Sequence, residues 1–284
     1  MPWPVSVQIC TLNEAANIGA CLEAVLRNEP EEVLVVDGGS VDDTVAVASK
    51  LGVRVLTPGL LGLGPSRQLG WRSTACPLVA MVDADDRLPS DWLSAMVEQL
   101  REGDYAALQG CLRSADFESW WSRGWDQYFV ESIKPVPKTS IVGRPALFRK
   151  SDLDAFPGVL PSLDEDTHLS RWFHQRGLRQ GIGNTVSHRH VETSWTANAQ
   201  KWRSYGRGYR EFVNRHPERK SALYRHIFFT IPFRRSLGPV TRGHLSQPLF
   251  NGLMAFHIVQ GWLRSGTRQG TATTSLGKQG NGDL

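Results

Sequence analysis

Along the first third of the chain, short apolar runs alternate with segments whose apolar residues recur at helical spacing. Residues 5–10 read as a short buried strand. Ile18, Cys21, Leu22, Val25 and Leu26 then follow a helical period, with Asn13 or Asn17 available as a cap. Residues 33–36 predict a second strand ending at Asp37, residues 44–51 a helix stopped by Gly52, and residues 53–56 a third strand. A fourth strand is predicted over 78–82, ending at Asp83. Ser90 is the expected cap of a helix running to Leu100, and residues 105–112 suit another strand.

Strands alternating with helices predict an α/β fold, a mostly parallel sheet covered on both faces. Ligands of such sheets bind beyond the carboxyl ends of the strands. Polar residues collect at those ends here: Thr11, Asn13 and Glu14 after the first strand, Asp37 after the second, and Asp83, Asp85 and Asp86 after the fourth.

The second half is less regular. Residues 116–138 are rich in Trp and Phe, then Pro, and predict a helix crossing a groove; Trp120, Trp121 and Trp125 read as core or groove lining. The Pro- and Lys-rich stretch 134–140 suits a closing loop. A return strand is expected at 146–149, a short helix capped by Ser151, a helix over 165–175 closed by Gly177, and a short strand within 178–188. Residues 196–215 read as a basic amphipathic helix. Residues 226–233 and 248–263 are apolar and aromatic, edged by Arg234, Arg235, Arg242 and Arg264. Each is short for a membrane span, and suits a membrane surface or packing on the main domain or a second copy. The Gly/Thr/Ser-rich sequence after Ser265 predicts disorder. The expected organisation is a main domain over 1–215, a helical and membrane-associating segment over 216–264, and a tail over 265–284.

Composition narrows this only a little. The 284 residues allow one large domain or a domain with an appendage, and 40% hydrophobic and 21% charged residues are ordinary for a globular protein. The net charge of +4 is compatible with phosphates or anionic lipid, and no nucleic-acid partner is expected. Cys10, Cys21, Cys76 and Cys111 are scattered without a CxxC spacing, which argues against zinc and for reduced thiols in a cytoplasmic protein. No signal peptide and no uninterrupted spanning segment is expected.

The sharpest chemical feature is Asp83-Ala84-Asp85-Asp86. Carboxylates one residue apart at a strand exit form an oxygen-rich site for a hard cation such as Mg²⁺ or Mn²⁺, which bridges to a diphosphate. The plainer alternative is a solvated acidic loop. In Asp37-Gly38-Gly39-Ser40, the glycines permit a tight turn against a ligand, Asp37 can accept from a base N–H, and Ser40 can donate to a neighbour. Asp42 or Asp43 then serves as a cap for the next helix.

Three strings, Val5 to Glu14, Val35 to Thr44, and Asp83-Ala84-Asp85, resemble family 2 glycosyltransferases of the GT-A fold in order and spacing. The resemblance extends over roughly residues 4 to 210. It implies a GT-A-like sheet flanked by helices with a C-terminal helical appendage, a nucleotide-sugar donor, a divalent metal, and inversion at the anomeric carbon. Carried over by residue, Thr11, Asn13 and Glu14 resemble the nucleotide-binding loop, and Asp37 the nucleobase contact. Arg67 resembles the arginine approaching the donor, Asp83 with Ala84 the ribose side, and Asp85 the principal metal ligand. Leu12 and Gln68 depart from the family's usual Pro and Asn. Asp164-Glu165-Asp166 resembles the family's Glu-Asp motif at a helix start. It makes Asp166, then Glu165, the candidate general base, because an acceptor hydroxyl must lose its proton as it attacks. His188 and His190 are candidate metal ligands on one face of a strand, with Arg189 as an alternative phosphate contact.

The expected function is thus an inverting, hexosyltransferase-type enzyme. It would move sugar from a nucleotide-diphosphate sugar to a hydroxyl of a glycan, lipid or small molecule, in the cytoplasm or on the inner face of the cell membrane. The rival is a non-catalytic nucleotide-sugar-binding or scaffold protein with a degenerate site.

Overall fold

The computed structural model describes residues 3–116, 118–132, 136–138 and 143–267. Two compact units divide the chain, Met1–Glu192 and Thr193–Leu284.

The first unit contains, in order, β1 (Trp3–Thr11), α1 (Ile18–Leu26), β2 (Pro30–Asp37), α2 (Thr44–Lys50), β3 (Arg54–Leu56), α3 (Leu63–Arg72), β4 (Leu78–Asp83) and β5 (Asp86–Arg87). There follow α4 (Trp92–Glu102), β6 (Ala107–Ser114), α5 (Trp120–Ser132), β7 (Val136–Lys138), β8 (Ala146–Arg149), α6 (Lys150–Asp154), α7 (Glu165–Gln175) and β9 (Gln180–Arg189). Among the described residues, nine strands form one sheet in the order β3-β2-β1-β4-β8-β6-β9-β5, with β7 beside β9. The β3-β2-β1-β4 half is parallel, as helical crossovers require. β8 then enters antiparallel between β4 and β6, so the whole sheet is mixed.

Strand alternation sorts the core into two layers. Val5, Val7 and Ile9 face one side with Ala80 and Val82, covered by α1 and α4. Val79, Met81 and Phe148 face the other, covered by Trp71 of α3, Leu153 of α6, and Leu169 and Phe173 of α7. On this second side β1 offers Gln8, and α3 comes so close that a Cβ on Gly70 would stand 1.7 Å from Gln8 Oε1. α3 thereby sits low on the sheet, with Arg67 and Gln68 buried.

Several expected caps differ: Ser151 lies inside α6, which starts after Arg149, and Asn17 precedes α1 without a side-chain bond. α4 starts after Asp91 rather than Ser90, and Asp43 precedes α2 without a side-chain bond. Asp42 Oδ1 instead accepts from the Thr44 amide at 3.1 Å. Of the expected closing loop, only Val136–Lys138 is described, as a strand on β9; the remainder lies outside the described residues.

The second unit contains α8 (Trp195–Arg215), a 3₁₀ turn (Pro217–Arg219), α9 (Lys220–Arg225), a π-helical stretch (His226–Arg234), α10 (Arg235–Thr241) and α11 (Gln247–Thr267). The Ser194 hydroxyl caps α8 by accepting from the Ala197 amide at 3.3 Å. α8 and α11 touch at backbone distance. A Cβ on Gly206 would fall 1.9 Å from the Ile258 carbonyl, and one on Gly261 2.0 Å from that of Arg203. Trp202 is fully buried between Phe250 and His257. Residues 196–215, grouped with the main domain in the sequence reading, thus belong to this unit by their contacts. The predicted tail begins with helix, since α11 reaches Thr267; residues 268–284 lie outside the described residues. Among the described residues, no helix is long and apolar enough to cross a membrane.

Candidate active site

β1 and β2 end side by side, with Thr11 opposite Asp37, and their loops are stitched together. The Gly38 amide donates to the Thr11 carbonyl at 2.8 Å. Asp37, 2% exposed, accepts from the amides of Gly39 and Ser40, each at 3.0 Å, and from the Ser40 hydroxyl. Ser40 Oγ in turn accepts from the Asn13 amide at 2.8 Å, and Asn13 Oδ1 accepts from the Val41 amide at 2.9 Å. The Glu14 amide donates to Thr44 Oγ1 at 2.8 Å. Gly39 takes φ 96°, a region costly for any side chain, and Asn13 takes φ 56°, which Asn tolerates better than most residues. The structure therefore brings Thr11, Asn13, Glu14, Asp37 and Ser40 into one double loop. Asp37 spends both oxygens ordering that loop. The Thr11 hydroxyl is buried without a partner among the described residues.

β4 delivers Asp83, Ala84, Asp85 and Asp86 next. Ala84 is buried in the core and anchors the turn. One carboxylate oxygen from each of Asp83, Asp85 and Asp86 lies within 4.8 Å of the others, a spacing able to hold a metal ion. All donors are oxygens, the set that a hard divalent cation prefers. Asp86 is fully buried; burial pushes its carboxyl up to about 7, although Arg189 opposes this. Arg189 Nε and Nη2 grip Asp86 side-on at 2.7 and 3.0 Å, and Nη2 also reaches Asp83 at 2.8 Å. Burial disfavours the Arg189 charge, yet the three carboxylates, led by Asp85, hold its pKa above the ordinary arginine value.

His188 and His190, the candidate metal ligands, flank Arg189 at the end of β9. β9 pairs with β5 so that Arg189 stands opposite Asp86. Both histidines are exposed, and the His190 amide donates to the Asp85 carbonyl at 2.9 Å. Neither belongs to the carboxylate group among the described residues. Arg189 is likewise engaged with carboxylates rather than left free for phosphate. Asp86 joins Asp83 and Asp85 in the group.

Arg67 links this cluster to the start of α7. Its Nη2 donates to Asp83 at 2.7 Å, and its Nη1 donates to the buried Glu165 carboxylate. Asp166, next in sequence, is half-buried and makes no ion pair with Arg67; one of its oxygens accepts from the Thr167 amide at 2.7 Å. Asp164 opens α7 at φ 58°. Gln68, read only as a departure from a family pattern, pins the approach to α7. Its Nε2 donates to the Gly158 carbonyl at 2.8 Å, and its Oε1 accepts from the Leu160 amide at 3.0 Å. Arg144, just before β8, was missed altogether. It is 2% exposed, and its charge feels Arg67, Asp166 and Asp83. The sequence signals for these residues are thin: Arg189 could be found from strand alternation, whereas Gln68 and Arg144 lie in no recognisable period.

A sheet whose strand-end loops gather around a carboxylate group is the architecture of GT-A glycosyltransferases. Residues 6–155, just over half of the chain, match Glycosyl transferase family 2, and the chain belongs to that family. It is 36% identical over 87 residues to an uncharacterized glycosyltransferase of Rickettsia felis, covering 31% of this chain and 30% of that one. The chain thus spans well under two thirds of that relative's length. Among solved structures, it is similar to a mannosyltransferase from Pyrobaculum calidifontis in complex with GDP-Man and Mn²⁺. That match has TM-score 0.66 and 17% identity, over 93% of this chain and 90% of that one. It is also similar to glucosyl-3-phosphoglycerate synthase from Mycobacterium tuberculosis in complex with Mn²⁺, UDP and glucosyl-3-phosphoglycerate, at TM-score 0.57 and 19% identity, over 74% and 79% of the two chains. At such identities the likeness carries the fold.

Proposed function

We propose that the chain is an inverting glycosyltransferase that moves a sugar from a nucleotide-diphosphate donor to an acceptor hydroxyl. The observation that carries this reading is the ion-pair chain Asp83–Arg67–Glu165, which joins the carboxylate group to the helix start bearing Asp166. Asp83, Asp85 and Asp86 would hold Mg²⁺ or Mn²⁺, which supplies charge neutralisation to the donor diphosphate. The Mn²⁺ and nucleotide ligands of the two solved relatives support this assignment.

The double loop of Thr11, Asn13, Glu14, Asp37 and Ser40 receives the nucleoside, with Asp83 beside the ribose, while Ala84, buried in the core, only anchors the turn. Glu165 is neutralised by Arg67 and acts as a positioning residue. Asp166 is the general base: it accepts the acceptor's proton as the hydroxyl attacks the anomeric carbon opposite the departing nucleotide. It stands in the first turn of α7.

The second unit suggests where acceptors are met. Phe229, Phe233 and Leu237 recur every four residues, and Leu249, Phe256 and Leu263 every seven, each more than half exposed. Arg225, Arg234 and Arg242 are exposed among them. Apolar rows edged by arginines suit an anionic lipid surface, and so a lipid-linked or envelope acceptor at the inner face of the membrane.

The test is nucleotide release from a panel of UDP-, GDP- and dTDP-sugars with Mn²⁺. Wild type releases one nucleoside diphosphate, whereas a binding protein or scaffold binds without release. Asp166→Asn loses roughly 100- to 10,000-fold in turnover and keeps its affinity for the nucleoside diphosphate. Undiminished turnover by that variant overturns the assignment.

A further inference from the structure

Among the described residues, Arg87 donates to the Asp86 carbonyl at 3.0 Å, and Arg67 and Arg189 are paired with carboxylates of the candidate site. Arg189 gives its Nε–Nη2 edge to Asp86, and Arg67 divides its two terminal nitrogens between Asp83 and Glu165. Arg144 differs. Its Nη1 donates to the Gly143 carbonyl at 2.8 Å, and its guanidinium carbon lies 5.6 Å from the centre of the Phe148 ring. Its Nε and Nη2 are buried and have no hydrogen-bond partner among the described residues. These two N–H groups point the same way and form the bidentate edge that matches a carboxylate or a phosphate. Leaving such a group buried and unpaired is costly, the more so with Arg67 as a neighbour. Burial first, then Arg67, lowers the pKa of Arg144 to about 9, so it stays charged at neutral pH, and Asp166 and Asp83 lie close enough to oppose that shift.

We propose that Arg144 receives an oxyanion of the ligand, a phosphate or carboxylate group, on its free Nε–Nη2 edge beside Asp83 and Asp166. The inference rests on the glycosyl-transfer reading and adds an anion-binding residue to it. Protein covers this edge, so the side chain must swing to meet the ligand; a single hydrogen bond, to Gly143, resists the swing. Two sources share the chemistry: the β-phosphate of the donor, and an anionic group on the acceptor.

Calorimetric titrations of wild type, Arg144→Gln and Arg144→Lys separate them. The probes are UDP, UMP, GDP and GMP with Mg²⁺, then inorganic phosphate added to protein saturated with the diphosphate. If the donor supplies the anion, Arg144→Gln weakens the diphosphate roughly 10- to 100-fold and leaves the monophosphate unchanged. If the acceptor supplies it, diphosphate affinity holds and inorganic phosphate binding is lost. Lysine keeps the charge without the paired edge, so Arg144→Lys moves in the same direction and serves if the glutamine variant does not fold. Wild-type affinity of the folded variants for every probe overturns the proposal. A wild-type chain that binds none of the nucleotides sinks the parent reading, and this one with it.

Discussion

Glu165 and Asp166 are adjacent in sequence and meet different surroundings. Both were legible as helix-start carboxylates, and the resemblance ranked Asp166 first. What separates them is Arg67, 98 residues earlier, which buries its charge against Glu165 and not against Asp166. No local pattern encodes that pairing. The β5–β9 register likewise is not local: it sets Arg189, rather than either neighbouring histidine, opposite Asp86. Elsewhere, His226 shows a residue-scale effect on stability. Burial, then Arg235, lowers its pKa from 6.5 to about 4. The folded ring therefore stays neutral where the unfolded one takes a proton. Its stabilising effect is intact above about pH 6.5 and is lost as pH falls toward 4. Thermal melts should lose stability on the order of 2 kcal/mol from this group between pH 7 and pH 5. In His226→Gln, that part of the pH slope should vanish; an identical slope would refute the linkage.

Among elements, the strands β1, β2, β3, β4 and β8 and the helices α1, α2 and α7 follow the apolar pattern to within a few residues. α3 does not, because its buried face carries Gly64, Arg67, Gln68 and Gly70 rather than an apolar stripe. Close approach replaces hydrophobicity there: a Cβ on Gly64 would stand 1.9 Å from the Pro161 carbonyl. The same device joins α8 to α11 through Gly206 and Gly261. Gly206→Ala should lower the stability of the second unit by about 1–3 kcal/mol, since backbone rather than a movable side chain receives the new methyl. An alanine on an open helix face would instead stabilise. Chemical denaturation of the variant against wild type decides the sign.

For the molecule as a whole, the exposed aromatic rows of the second unit lead to a membrane test. Vesicles containing anionic phosphatidylglycerol should co-sediment with the chain, and neutral phosphatidylcholine vesicles much less. Phe229→Ser with Phe233→Ser should reduce binding on the order of tenfold or more, at two exposed aromatic side chains. Equal, negligible sedimentation with both lipids would remove the membrane reading and leave the transfer chemistry untouched. By itself, the sequence determined the alternation of strands and helices, the acidic strand end, the two loop strings and the basic aromatic C-terminal segments. These arise from short-range periodicity and backbone preference. Only the tertiary structure decided that Asp86 joins Asp83 and Asp85, that Arg67 claims Glu165, and that one edge of Arg144 is buried without a partner among the described residues. Those outcomes depend on which distant side chains share a buried space, and charge pairing in that space is set by distances that no local period contains.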